Sequence, residues 1–347
     1  MKYRAVLEPA RTAHFAVAAR HILFALACAL AAQAQAQTAA HDTPPDPAAS
    51  VALLQRIQTA AQRLDYTGVF TYQQGPALQS SRVTHMADAK GEYERLEVLD
   101  GQPLEFLRNN DEIQCLIPSR RAILVEQRTA RDRFPGLMLG SAQQLLGQYD
   151  VSVEPEPERV ADRDCQVISL DPKDDSRYGY RLCADTDSGL LLRAQTLAPQ
   201  EEVIEQVAFT SVQIGGIDRK QLKPRWSTAG WKVVRTNLIP TDLAAAGWSV
   251  GEPAGFTRIT QVQRSMGGKP NVKQVMLSDG LAAISVFIEP FSPSHPQQVG
   301  PGPRGAIHVV GRRLGDYWIT VLGEVPLATI QQVADSIQYN KPGASQP

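Results

Sequence analysis

The sequence predicts an α+β fold, mainly antiparallel β, built as two domains. Three observations carry that expectation. The chain has 347 residues, more than one ordinary core accommodates. Its hydrophobic period changes from helical to two after residue 64, and period two then recurs through many short runs. The 24 prolines and 25 glycines supply the turns between those runs.

Residues 1–36 read as a secretory signal peptide. Lys2, Arg4, Arg11 and Arg20 are basic, Ile22 to Ala32 form a short apolar core, and Ala34-Gln35-Ala36 is an A-x-A cleavage signal. The mature chain is therefore expected to begin near Gln37 and to be exported, with the periplasm as its destination. Residues 37–49, with Pro44, Pro45 and Pro47, read as a flexible arm. Ser50 is expected to cap a helix over 51–64, where Val51, Leu54, Ile57, Ala61 and Leu64 share one face.

The large domain is expected over 50–218. Alternating runs lie at 66–72, 81–86, 92–99, 104–108, 112–117 and 122–127. An apolar loop, Phe134 to Leu139, and a short helix capped by Ser141 interrupt them; strands then resume at 165–170, 178–184, 190–197 and 202–214. Consecutive strands at hairpin spacing make one antiparallel sheet that curls around its apolar face. Residues 219–229 read as a linker. A smaller C-terminal domain, 230–340, opens at Trp231 and holds strands at 257–264, 273–278, 282–289, 305–313 and 316–323, then a helix at 326–337. Residues 293–303 form a Pro/Gly-rich excursion and 341–347 a tail.

Composition narrows the function. Lys+Arg total 35 against 36 Asp+Glu, a balance that argues against nucleic acid as a partner. Residues 37–229 hold 21 basic and 28 acidic groups, whereas 230–347 hold 10 and 7. The positive C-terminal part suits an acidic partner or docking between domains. No apolar run beyond residue 36 approaches the roughly 20 residues of a membrane span.

Catalytic patterns are absent. His41, His85, His295 and His308 are far apart, and no Walker loop, GxSxG elbow or CxxC pair occurs. Gly267-Gly268-Lys269-Pro270 reads as a turn, and Asp174-Asp175 and Glu201-Glu202 as solvated charge. No enzyme activity, cofactor or metal is expected. Cys165 and Cys183 flank a hairpin, and an oxidising compartment favours a disulfide between them. Setting them opposite each other also pairs Ile168 with Tyr180 and Leu170 with Tyr178. Cys115 alternates with Ile113 and Ile117 and reads as a small buried residue.

Four stretches carry a resemblance: Leu54 to Gly68 (LQRIQTAAQRLDYTG), Asp171 to Leu182 (DPKDDSRYGYRL), Ser278 to Pro290 (SDGLAAISVFIEP) and Gly323 to Ile337 (GEVPLATIQQVADSI). Together, in this order, they resemble the RseB/MucB family of periplasmic regulators of the sigma-E envelope stress response. The resemblance implies a large half-open β-barrel domain with helices, similar to lipoprotein carriers, plus a smaller antiparallel sheet packed on a helix. It also implies binding to the periplasmic part of a single-span anti-sigma factor, which is shielded from regulated proteolysis, with lipid-type ligands relieving that binding.

The implied partner surface lies in the C-terminal domain, with Arg258, Arg264, Lys269, Lys273, Arg312 and Arg313 as its basic candidates. Glu289 and Glu324 fall in the same motifs, where strand ends or turns explain them equally well. For an apolar cavity the candidates are Phe70, Tyr72, Ile113 and Ile117, with Phe134, Leu137, Met138 and Leu139, flanked by Arg131 and Arg133, as a lid that meets anionic headgroups. Lipid, lipopolysaccharide or lipoprotein acyl chains are the ligands considered, and a homo-oligomer stays open. A lipid or lipoprotein carrier is the alternative function; an envelope hydrolase is a third that lacks its catalytic groups.

Overall fold

A computed structural model of the chain describes residues 46–127, 134–266, 269–293 and 305–341. The expected leader, most of the arm, Arg131, Arg133, His41, His295, the Gly267-Gly268 turn, residues 294–304 and the tail from 342 lie outside the described residues. The first element, α1 (Pro47–Arg63), starts ahead of its expected position. Its cap is Asp46, whose carboxylate accepts the Ala48 N–H at 3.0 Å, and Pro47 occupies the first turn. An Asp-Pro pair supplies an acceptor and a residue with no N–H where none is needed. Ser50 is instead buried inside the helix, on the face that packs Leu54, Ile57, Ala60 and Ala61.

The larger sheet begins with a meander of β1 (Tyr66–Gln74), β2 (Ala77–Asp88), β3 (Gly91–Val98), β4 (Glu105–Asn109), β5 (Glu112–Ile117) and β6 (Ala122–Gln127). Helix α2 (Ala142–Gln148) follows, capped by Ser141 in a reciprocal box with Gln144. A second series comprises β7 (Tyr149–Val153), β8 (Glu158–Val160), β9 (Arg163–Pro172), β10 (Gly179–Asp185), β11 (Leu191–Leu197) and β12 (Val203–Ile214). The two series join because β1 pairs antiparallel with β12. A bulge between Val69 and Phe70 bends that junction. Gly68 is required there, since a Cβ would lie 2.5 Å from the Ser211 carbonyl oxygen.

One more strand, β13 (Lys232–Arg235), adds parallel to β6. The sheet therefore reaches thirteen strands among the described residues, in the order β13-β6-β5-β4-β3-β2-β1-β12-β11-β10-β9-β7 with β8 on β9. Its two ends do not pair with each other, so it is a half-open barrel rather than a closed one. The placement of β13 differs from the expected start of the C-terminal domain. The cause is the preceding segment, which is a strap and not a free linker. Arg95 donates to the Gln221 carbonyl at 3.0 Å, and the Arg225 N–H donates to Glu105 at 3.1 Å. Glu105 is fully buried and also holds Arg95, so the strap delivers Trp231 to the outer edge of the sheet.

Beyond it come β14 (Ile239–Pro240), β15 (Trp248–Ser249), β16 (Thr257–Met266), β17 (Lys269–Ser278), β18 (Ala283–Pro290), β19 (His308–Leu314), β20 (Tyr317–Gly323), α3 (Leu327–Ser336) and β21 (Gln338–Tyr339). Six of these strands form an antiparallel sheet ordered β14-β16-β17-β18-β20-β19, and β15 pairs with β21. Its core sets Val275, Ile284, Val286, Ile319 and Val321 against Ile330 and Val333 of α3. No helix among the described residues is long and apolar enough to cross a membrane.

The disulfide forms: Cys165 and Cys183 are bonded, with a Cα–Cα distance of 5.3 Å. The register differs from the expected one by two residues. Tyr180 faces Leu170 and Leu182 faces Ile168, so Cys183 stands opposite Val167 and Cys165 opposite Asp185. A two-residue slip leaves every side chain on its expected face, so alternation cannot detect it. The turn sets the register instead, where Asp174 accepts the Ser176 N–H at 2.8 Å and binds Arg177. Cys115 is half-buried and not bonded to another cysteine.

His85 is fully buried on β2, stacked on Tyr66 at 4.9 Å, with Nδ1 2.8 Å from the Leu64 carbonyl oxygen. Burial lowers its pKa from the ordinary 6.5, against the opposing pull of Glu94. Below that value the unfolded chain takes up a proton that the folded one resists, so acidification removes stability. Urea unfolding should show a loss of up to about 1.4 kcal/mol per pH unit below pH 6.5, reduced in His85→Gln. An unchanged pH slope in that variant would assign the loss to other groups.

Candidate functional site

A cavity of about 520 Å³ lies between the two sheets. The larger sheet lines it with Phe70, Tyr72, Leu96, Phe106, Tyr180 and Val207, and the smaller one with Met276, Ala283, Leu322 and Glu324. Phe134, Leu137 and Leu139 of the apolar loop complete the wall. Phe134 is held by aromatic packing, 4.9 Å from Phe209 and 5.3 Å from Phe70 between ring centroids. The loop is also tied to the smaller sheet, because the N–H groups of Leu139 and Gly140 donate to the Gly280 carbonyl at 2.8 and 3.1 Å.

Of the expected cavity residues, Phe70, Tyr72, Phe134, Leu137 and Leu139 are brought together at this wall. Met138 is buried in the core of the larger sheet instead. Ile113 and Ile117 are half-buried on β5 and do not line the cavity; Phe106 on β4 is the outermost strand residue of the larger sheet that does. Alternation shows which face a residue takes, and it is silent on how far along the sheet a cavity extends.

The floor carries a polar row. Tyr180, Thr196 and Glu205 stand directly opposite one another on β10, β11 and β12, so they share one face. Glu205 is 7% exposed. Its carboxylate accepts from the Tyr72 hydroxyl, from Gln74 Nε2 at 3.4 Å, and from the Ala306 N–H at 3.2 Å across the gap between sheets. Burial, and then the hydrogen bond to Glu205, push the Tyr72 hydroxyl far above its ordinary pKa. Tyr180 is 5% exposed, and its hydroxyl has no hydrogen-bond partner among the described residues.

A buried ion pair closes one side of the seam. The side chains of Arg177, from the larger sheet, and Asp279, from the smaller, are both fully buried and meet at 2.7 Å. Tyr149 donates to the same Asp279 oxygen at 2.9 Å, and the other oxygen accepts the N–H groups of Leu281 and Ala282. Arg177 further bonds Asp174 and the Ala254 carbonyl, with its guanidinium 5.0 Å over the Phe256 ring. Burial works against the charge on Arg177, yet the hydrogen bond to Asp174 and the field of Asp279 raise its pKa overall. Asp174 is thus not solvated surface charge, as its place in an acidic pair suggested; it holds a buried arginine.

The family model of the MucB/RseB N-terminal domain matches residues 49–226, and that of the MucB/RseB C-terminal domain matches 242–338. The chain belongs to the MucB/RseB family. Among its relatives, the sigma factor AlgU regulatory protein MucB of Pseudomonas aeruginosa is 31% identical over 294 residues, covering 82% of this chain and 89% of that protein. The sigma-E factor regulatory protein RseB of Escherichia coli K12 is 27% identical, covering 86% and 92%. The crystal structure of MucB in complex with MucA(peri) matches with a TM-score of 0.64 at 29% identity, over 84% of this chain and 99% of that one.

Two of the stretches that carry the MucB/RseB resemblance meet at the seam. DPKDDSRYGYRL supplies Asp174, Arg177 and Tyr180; SDGLAAISVFIEP supplies Asp279, Gly280, Leu281 and Ala283. Arg177, Asp279 and Glu205 escaped sequence reasoning, although a lone aspartate inside the apolar word SDGLAA was a signal for the second. The basic candidates fall into two groups. Arg258 and Arg264 on β16 neighbour Lys269 and Lys273 on β17, whereas Arg312 and Arg313 lie on β19 at the opposite edge. Arg312 donates to the Ala334 and Ile337 carbonyls and so closes the C-terminus of α3. Arg264 reaches Glu126 of the larger sheet at 2.5 Å, Arg258 pairs with Glu252 at 3.1 Å, Lys269 with Glu289 at 3.0 Å, and Arg313 stacks on Phe291. Among the described residues, no cluster of three or more metal-ligating side chains occurs.

Proposed function

We propose that this protein is a periplasmic negative regulator of a sigma-E type envelope stress response. It binds the periplasmic segment of a membrane anti-sigma factor and shields that segment from regulated proteolysis; a lipid-type ligand in the cavity relieves the binding. Membership of a family whose relatives are named sigma factor regulatory proteins supports the first part, as does the likeness to MucB bound to MucA(peri). The observation that carries the second part is the shared wall: a ligand filling the cavity touches both sheets and the loop tied to Gly280. Such a ligand shifts the equilibrium between arrangements of the sheets by its differential affinity for them.

The smaller sheet, with Lys273 and Arg313 among its basic groups, is the proposed partner surface, and part of the affinity is electrostatic. The test is digestion of the partner's periplasmic fragment by its site-specific protease. Cleavage is expected to slow in proportion to the fraction bound and to recover when an acyl-chain amphiphile is added. Equal cleavage rates at concentrations where binding is confirmed overturn shielding. A carrier is the second reading, favoured by the same apolar cavity; extraction of acyl chains from the purified protein together with failure to bind any anti-sigma fragment selects it.

A further inference from the structure

The cavity has a charge character of its own. Its charged lining residues among the described ones are Glu94, Glu205 and Glu324, all acidic. Glu94 is already matched by Arg108 at 3.3 Å. Glu205 is different: it is more than nine-tenths buried, and the three groups that hydrogen-bond it, Tyr72, Gln74 and the Ala306 N–H, are all neutral. A carboxylate removed from water is costly unless a cation or a full set of strong donors compensates it. Two places along the same row, the Tyr180 hydroxyl is buried, unpartnered and on the cavity wall. Neighbouring strands stand about 4.8 Å apart, so Tyr180, Thr196 and Glu205 offer a polar strip roughly 10 Å long within an apolar pocket.

Resting on the reading of the cavity as a ligand site, we propose that it takes an amphiphile bearing a protonated amine. The ammonium lies on the row with Glu205 as its counter-ion and the Tyr180 hydroxyl as an acceptor; the tail lies among Phe70, Leu96, Phe134 and Leu322. An anionic headgroup placed there meets the Glu205 carboxylate with no cation among the described lining residues to offset it. A peptide is a poorer fit, because its backbone N–H and C=O groups each need a partner, whereas the wall is mostly side-chain hydrocarbon. An ammonium at Glu205 also competes with the Ala306 N–H, one of the bonds between the sheets.

The experiment uses the mature chain and an uncharged fluorescent apolar probe, N-phenylnaphthylamine, displaced by dodecylammonium, dodecyl maltoside or dodecanoate below their micelle concentrations. Dodecylammonium is expected to displace the probe at about tenfold lower concentration than dodecanoate. Glu205→Gln should erase that preference. Tyr180→Phe, which removes only an unpartnered hydroxyl, should weaken dodecylammonium roughly fivefold, and it keeps the test available if Glu205→Gln does not fold. Equal or stronger displacement by dodecanoate, or a preference untouched by both variants, overturns the charge selectivity and leaves an apolar ligand site standing. Absence of binding by the probe and by every chain overturns the ligand reading as well. Displacement by a lysine-containing peptide from the partner, without displacement by dodecylammonium, reassigns the row to the peptide and overturns the amphiphile.

Discussion

Replacing Asp279 with alanine is expected to cost about 3–5 kcal/mol of stability, read as a shift in the urea unfolding midpoint. The magnitude follows from what the variant leaves behind. The side chains of Arg177 and Asp279 are fully enclosed, so the substitution leaves a buried guanidinium with only the one-third-exposed Asp174 as counter-ion and strands the Tyr149 hydroxyl. Asp174 and the Ala254 carbonyl still hold Arg177, but neither reaches across to the SDGLAA turn. Replacing both charges, as Arg177→Met with Asp279→Leu, should destabilise less than Asp279→Ala alone, because no fully buried charge remains and the released Asp174 is one-third exposed to water. A double variant worse than the single one would mean that geometry at the turn, not charge balance, holds the seam. Since the loop N–H groups of Leu139 and Gly140 dock on Gly280, the single variant should also free that loop and speed its amide exchange.

Removing the disulfide is the second large effect. Cys165 and Cys183 are separated by 18 residues and both are fully buried. Loop closure in the unfolded chain alone is worth about 3 kcal/mol, and Cys165→Ala with Cys183→Ala should lose roughly that amount. The native protein should show the same loss when unfolded in reductant, while the double variant should be indifferent to reductant. Thiol titration of the denatured, unreduced chain from Gln37 onward is expected to find one reactive group, Cys115. Three reactive thiols in protein taken from an oxidising compartment would remove the bond and its contribution together.

Local signals were strong where they were repeated along the chain. Strands β5 and β6 and the helix after Ser141 lie where alternation and capping placed them, because each depends on neighbours in sequence. The start of α1 was misread because two capping candidates, Asp46 and Ser50, lie four residues apart, and Pro47 decides between them. The cavity was legible as apolar strand faces and an apolar loop. Its polar row was not, since Tyr180, Thr196 and Glu205 come from three strands whose register depends on a turn and on a bulge between Thr196 and Leu197.

By itself the sequence determined the balance of strand and helix, the pairing of the cysteines, the apolar character of the 134–139 loop and the words that mark the family. These are properties of composition, period and order along the chain, and each is set by short-range physics. Only the tertiary structure decided that β13 joins the larger sheet, that Ile113 and Ile117 stand away from the cavity, and that Arg177 and Asp279 meet across a seam. The last pair is separated by 102 residues, and neither residue alone points to the other. A buried ion pair is recognisable only when both desolvated partners are seen together, since its stability comes from their mutual compensation and not from either residue's preference.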